Sequence, residues 1–217
     1  MNRNDLEKLS DAEVKKFADE GHYAAIFEYA FRLKKQKKYQ DAFDYFYKIK
    51  DYNNFFVWQA LVDIADYYVP GLLSDKEIFE LLVRIHNDIG NSYSLMLAHF
   101  YRDGRGTRKN YKKYIAILTE CMRDGSHYAA IELGECYEQG IYVRRSYRKA
   151  FDIYDHFVDE HCKPDATCCY RAAMMMLEGK GRIKKNMLSV KYNLRVASRS
   201  IPEAKELYIK LFKEEPK

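Results

Sequence analysis

One short pattern recurs along this chain at intervals of about 35 residues, and it limits what the chain can fold into. It is clearest between Gly125 and His161, where Ala129, Leu133-Gly134, Tyr137 and Gly140 follow at spacings that share one helical face. The same order returns at Ala25, Tyr29-Ala30 and Leu33, and again at Ala60, Ile64-Ala65, Tyr68 and Gly71. It returns twice more, at Tyr93, Leu97-Ala98, Tyr101 and Gly104, and at Cys168, Ala172-Ala173, Met176 and Gly179. The pentapeptide His-Tyr-Ala-Ala-Ile occurs at both His22 and His127. A second apolar stripe, Tyr147, Ala150, Phe151, Tyr154 and Phe157, follows each time in some form. Two helices cannot bury both stripes by themselves, so each hairpin needs a neighbour of its own kind.

The unit at 125–161 resembles the Sel-1-like repeat, a relative of the tetratricopeptide repeat. That motif runs Ala-x3-Leu-Gly-x2-Tyr-x2-Gly-x-Gly-Val-x2-Asp-Tyr-x2-Ala-x2-Trp-Tyr. The chain matches it at Ala129, Leu133, Gly134, Tyr137, Gly140, Val143, Tyr147, Ala150 and Tyr154. It departs at Tyr142, Ser146 and Ile153, where the motif has Gly, Asp and Trp. The match is good over 90–200 and fainter over 21–89. The resemblance implies an all-α, right-handed superhelical solenoid of helical hairpins that serves as a protein-binding scaffold.

The expected layout is a single solenoid over 1–217. A short helix lies at Asp5–Leu9, and Ser10-Asp11-Ala12-Glu13 forms a capping box that opens a helix over 10–20. Five hairpins follow at 21–52, 53–89, 90–124, 125–161 and 162–200, then a C-terminal capping helix at 202–213. Within them the helices are expected at 22–35 and 39–51, 54–69 and 75–88, 91–103 and 110–123, 126–139 and 146–160, and 165–178 and 186–199. Pro70-Gly71 ends one helix, Ser74 to Glu77 caps the next, and Gly140 supplies a left-handed stop.

Composition agrees, with 47% hydrophobic and 32% charged residues, enough for a sizeable core. No run of about 18 apolar residues is present, so no membrane insertion is expected. The polar start, Met1 to Asp5, is unlike a signal peptide, and five unpatterned cysteines suit a reducing compartment. The expected location is the cytoplasm.

Candidate chemistry is sparse. His161-Cys162 and Cys168-Cys169 offer zinc ligands, but the spacing is not Cys-x2-Cys, and Cys168 fills a small-residue position of the repeat. Packing is therefore the favoured reading of Cys168, and of Cys121 and Cys136 at helical positions. Gly104-Arg105-Gly106 and Gly179-Lys180-Gly181 lack the preceding strand and following Lys-Ser/Thr of a phosphate loop, and read as hairpin corners. The six histidines assemble into no hydrolase motif. No enzyme activity, metal or cofactor is expected.

Two surfaces are candidates for a partner. Four of the five corners are basic: Lys34, Lys35, Lys37 and Lys38; Arg105, Arg108 and Lys109; Arg144 and Arg145; Lys180, Arg182, Lys184 and Lys185. Asn110, Ser146 and Lys185 stand where the motif has Asp, so negative charge is missing there as well. Stacked corners would form a basic edge for an acidic protein or peptide. The second surface is the groove lined by first helices, with Glu28, Asp63, Asp66, Met96, His99, Glu132, Glu135 and Arg171. The alternative partner for the basic edge is nucleic acid, helped by Tyr111 and Tyr142 beside it, although no nucleic-acid module is present.

Overall fold

The computed structural model describes residues 3–89, 92–158 and 164–216. Among the described residues every regular element is helical, and no helix is long and apolar enough to cross a membrane. They form two compact units, Met1–Lys109 and Asn110–Lys217. The first contains α1 (Arg3–Leu6), α2 (Asp11–Asp19), α3 (Tyr23–Lys35), α4 (Tyr39–Lys48), α5 (Phe55–Val62), α6 (Asp75–Ile89) and α7 (Ser92–Asp103). The second contains α8 (Tyr111–Arg123), α9 (His127–Gln139), α10 (Tyr147–His156), α11 (Ala166–Glu178), α12 (Met187–Ala197) and α13 (Pro202–Phe212). In the first unit α3 pairs with α4 and α5 with α6; in the second α9 pairs with α10 and α11 with α12. The helices expected as a third hairpin, α7 and α8, fall one in each unit.

Helix starts follow the local sequence. Ser10 and Ser74 each close a capping box, with Glu13 and Glu77 reaching back to the cap. Asn110 and Ser146 accept from the backbone N–H of Lys113 and Lys149. They satisfy a free donor without the negative charge that Asp would bring. In the fifth hairpin the cap is Asn186, not Lys185: its side chain accepts from the N–H groups of Leu188 and Ser189. Lysine has no acceptor to offer there. At Gly140 the backbone turns left-handed, with φ of 77°, and its N–H bonds Cys136 O.

Within each unit the core lies where the small residues of one helix meet the larger ones of its partner. Second helices present two residues four apart: Ala42 and Phe46, Ile78 and Leu82, Tyr114 and Leu118, Ala150 and Tyr154, Val190 and Leu194, all buried. Each large apolar side chain taken from water contributes about 1.5–3 kcal/mol. First helices supply Ala30, Ala65, Ala98, Gly134 and Ala173 at the equivalent small position. A Cβ built on Gly134 would overlap the Tyr154 ring. Glycine is therefore required where the facing residue is the bulkiest.

Neighbouring repeats meet at the corners. A Cβ on Gly106, whose φ is +62°, would overlap the backbone of Asp75, the first residue of α6. One on Gly181 would lie 2.7 Å from Cβ of Tyr147, the first residue of α10. The second glycine of these corners thus lets each rest on the preceding repeat's second helix, and accounts for the Gly-x-Gly spacing. Tyr142 takes the same left-handed φ, 63°, although it has a side chain. That conformation costs about 1–2 kcal/mol. Its ring lies flat on Tyr111, the first residue of α8, with centroids 4.1 Å apart, which offsets part of the strain.

One departure from the expected helices is at Asp63–Tyr68, where α5 widens into a π-helix and Val69 N–H bonds Ile64 O. In this wider turn Tyr68 stacks on Tyr39, the first residue of α4, at 4.1 Å. Periodicity alone does not distinguish a π-turn from an α-turn over six residues.

Asn193 is 1% exposed, and among the described residues neither its amide nitrogen nor its oxygen has a hydrogen-bond partner. Its counterparts in the other second helices are Tyr45, Leu81, Ile117 and Ile153, three of them aliphatic. An unmet buried amide costs about 1–3 kcal/mol. Replacing it, Asn193→Leu should raise the urea midpoint of unfolding by an amount worth roughly 1 kcal/mol or more; a lower midpoint would mean that the amide is satisfied.

Candidate partner-binding surfaces

Three corner cations turn inward. Lys34 of α3 bonds Asp63 at 2.9 Å. Arg105 bonds Asp66 at 2.8 Å and Asp75 at 2.7 Å, with its guanidinium 4.3 Å from the Phe100 ring centroid. Lys180 reaches Glu178 at 2.6 Å and Glu138 at 3.5 Å. The nearby carboxylates, Glu178 foremost, hold the Lys180 ammonium above its ordinary range. The other corner cations are exposed: Lys35, Lys37, Lys38, Arg108 and Lys109 in the first unit, and Arg144, Arg145, Arg182, Lys184 and Lys185 in the second. Among the described residues none of these ten has a carboxylate within ion-pair distance.

The groove residues are largely engaged with side chains of the protein itself. Glu28, expected on the open face, is only 6% exposed and bonds Arg32 at 2.9 Å. Arg32 also binds Asp11 and the carbonyls of Leu6 and Leu9, so it anchors the first two helices onto α3. Asp63 accepts from Lys34 on one oxygen and from the Tyr93 hydroxyl, 2.5 Å away, on the other. That one carboxylate links α3, the end of α5 and α7. Burial first, and Asp63 second, push the Tyr93 phenol well above its ordinary range. In the second unit Tyr114 donates to Glu132 at 3.0 Å, and Arg171 bonds Glu135 at 2.7 Å. Met96 and His99 are half-buried on α7. The structure thus brings together residues assigned to separate surfaces, joining Lys34 to Asp63 and Arg105 to Asp66.

Comparison with known proteins clarifies the arrangement. No family model and no curated protein sequence matches this chain. Solved structures do. A protective antigen present in uropathogenic Escherichia coli strains, described as displaying an SLR fold, superposes with a TM-score of 0.69 at 14% identity over 94% of this chain. A Sel1 repeat protein from Oxalobacter formigenes gives 0.68 at 16% identity over 89%. The chain has the Sel1-repeat fold. It spans 44% of the length of the first of these proteins and 79% of the second.

Within this Sel1-repeat fold the four described cysteines are core residues. Cys168 and Cys169 are fully buried, and Cys121 and Cys136 nearly so. Burial pushes the Cys169 thiol up to about 12 and the Cys121 thiol up to about 11. Cys168 is raised for the same reason. Among the described residues no group of three or more His, Cys, Asp or Glu is placed to hold a metal ion. His161 and Cys162, the other half of the zinc reading, lie outside the described residues.

The polar links along the first helices carry a direct expectation. Asp63→Ala removes the acceptor that half-buried Lys34 and Tyr93 share, and should destabilise the protein by about 1–3 kcal/mol in urea unfolding. Exposed Asp44→Ala serves as the control and should change little. Equal effects would show that Asp63 joins nothing that matters to stability.

Proposed function

We propose that this protein is a non-enzymatic scaffold that binds an acidic protein or peptide partner, recruited through the exposed basic corners of each unit. The observation behind this reading is the division among the corner cations. Lys34, Arg105 and Lys180 have carboxylates of their own, whereas Arg108, Arg145, Lys184 and their neighbours have none within ion-pair distance among the described residues. Cations needed only to hold the repeats together would resemble the first set. The Sel1-repeat fold favours a partner-binding role and gives no indication of which partner. The engaged carboxylates make the first-helix groove the weaker candidate: Asp63, Asp66 and Glu135 each already have a cation.

The nucleic-acid reading needs aromatic faces beside the cations. Tyr111 and Tyr142 stand there, but their rings stack on each other, and Tyr142 also meets the edge of Tyr114. One face of each is thereby occupied, which favours an acidic polypeptide over a base-stacking ligand.

Each exposed contact is worth about 0.2–1 kcal/mol, so recognition requires several together. Reversing Arg108, Arg145 and Lys184 to Glu should leave thermal unfolding unchanged. It should weaken binding of a fluorescein-labelled poly-glutamate peptide, mainly through slower association, and flatten the salt dependence. Unchanged affinity and salt dependence in the triple variant would contradict the reading. Preference for single-stranded RNA over poly-glutamate, with a steep salt slope, would favour nucleic acid.

A further inference from the structure

Between α8 and α10 the surface opens into a cleft of about 560 Å³. That is within the roughly 300–1,000 Å³ of typical ligand sites. Both helices pack on α9, whose Leu133 and Tyr137 form the floor. Met122 from α8 and Ile153 from α10 close the apolar sides. The rim is mainly cationic. Arg123 and Lys149 are exposed and have no ion-pair partner among the described residues, and the Lys149 ammonium lies 5.1 Å from the Tyr137 ring centroid. Asp152, on the same rim, bonds Arg148 at 3.2 Å. His156 completes the rim, packed edge-on against Phe157.

The chain contains its own control. Two repeats earlier, the same positions of α4 and α6 form a cleft of only about 70 Å³. Tyr47 stands there in place of Thr119, and Lys50, in place of Met122, lies over the Tyr47 ring and pairs with Asp51 at 3.5 Å. Two rim charges are reversed as well: Asp51 corresponds to Arg123 and Glu77 to Lys149, while Glu80 keeps the sign of Asp152 and Arg84 stands at the place of His156. The place that is filled, with carboxylates at positions 51 and 77, in the first unit is open, with cations at the equivalent positions 123 and 149, in the second. Ile153 adds to the opening, since it stands where the repeat motif has the much larger Trp.

We propose that the cleft between α8 and α10 is a docking site for an acidic amphipathic helix of a partner protein. The helix would insert bulky apolar side chains over Leu133, Tyr137 and Ile153 and set Asp or Glu against Arg123 and Lys149. A linear segment suits the shape, because the α10 wall runs from Lys149 to His156, about 10 Å at 1.5 Å per residue. That length accommodates two anchors one helical turn apart. The proposal rests on the scaffold reading and gives it a second, apolar contact away from the corners.

The test uses the full chain and a short acetylated, fluorescein-labelled helical peptide with Leu and Phe one turn apart and Glu on both flanks. A matched peptide has Lys for every Glu. The acidic peptide should bind more tightly by about tenfold or more. Ile153→Trp should fill the cleft and weaken the acidic peptide by about tenfold or more, without lowering the thermal midpoint. Arg123→Glu with Lys149→Glu, both on the surface, should reverse the preference between the peptides. Equal binding of the two peptides, or wild-type affinity in Ile153→Trp, overturns the proposal. If neither peptide binds, but anilinonaphthalene sulfonate does and is lost in Ile153→Trp, the site takes a small amphipathic anion and the helix proposal falls. The corner triple variant distinguishes the two readings. It should retain at least the apolar part of peptide binding, whereas loss in that variant with no loss in the cleft variants leaves the corner reading standing alone.

Discussion

The Tyr154 ring occupies the space that a side chain at position 134 would need. Two helices joined by a short corner approach as closely as the residues between them allow. In this chain the limit is set by a small residue on the first helix opposite a large one on the second. Alanine holds the small place in four hairpin positions, and glycine holds it at 134, where the fully buried tyrosine faces it. Glycine inside a helix costs roughly 0.5–1 kcal/mol relative to alanine, so its use there has to be offset by the packing it permits.

The contacts between repeats presuppose that approach. Within the first unit, Asp63 can reach both Lys34 and Tyr93 only because neighbouring first helices lie side by side. Within the second, Arg171 meets Glu135 for the same reason. The corners then come to rest on the preceding second helix, through glycine at Gly106 and Gly181 and through stacked tyrosines at Tyr142 and Tyr68. What remains outward is a set of corner cations with no carboxylate partner among the described residues and, in the second unit, the cleft between α8 and α10. Both sit on elements held by buried contacts, which is the arrangement a docking surface requires.

Much of this is legible in the chain itself. Apolar spacing and cap residues place the helices to within a few residues, because Ser10, Ser74, Asn110 and Gly140 each act through a local hydrogen bond. The π-turn at Asp63–Tyr68 is not legible, since a shift from i+4 to i+5 bonding leaves the apolar register nearly unchanged. Nor is the burial of Glu28, which depends on Arg32 reaching across to Asp11 and to two carbonyls distant in sequence. Assigning Lys34 and Asp63 to separate surfaces overlooks that residues from adjacent repeats meet. The cleft is missed because its lining comes from three helices and no single stretch looks unusual. Its signal is present all the same, in the exchange of Asp51 for Arg123 and Glu77 for Lys149 between equivalent positions.

The size match between positions 134 and 154 is tested most directly by a double-mutant cycle followed by urea unfolding. Alone, Gly134→Ala should destabilise by about 1–3 kcal/mol, because the added methyl meets the Tyr154 ring. In the Tyr154→Leu background the same change should be neutral or stabilising, since the alanine–leucine combination already serves at Ala173 and Leu194 and alanine is the better helix former. That sign change corresponds to a coupling well above the roughly 0.3–0.5 kcal/mol scatter of independent sites. Gly134→Ala with the same effect in both backgrounds would show that the two residues do not limit the approach of the helices, and would contradict the account.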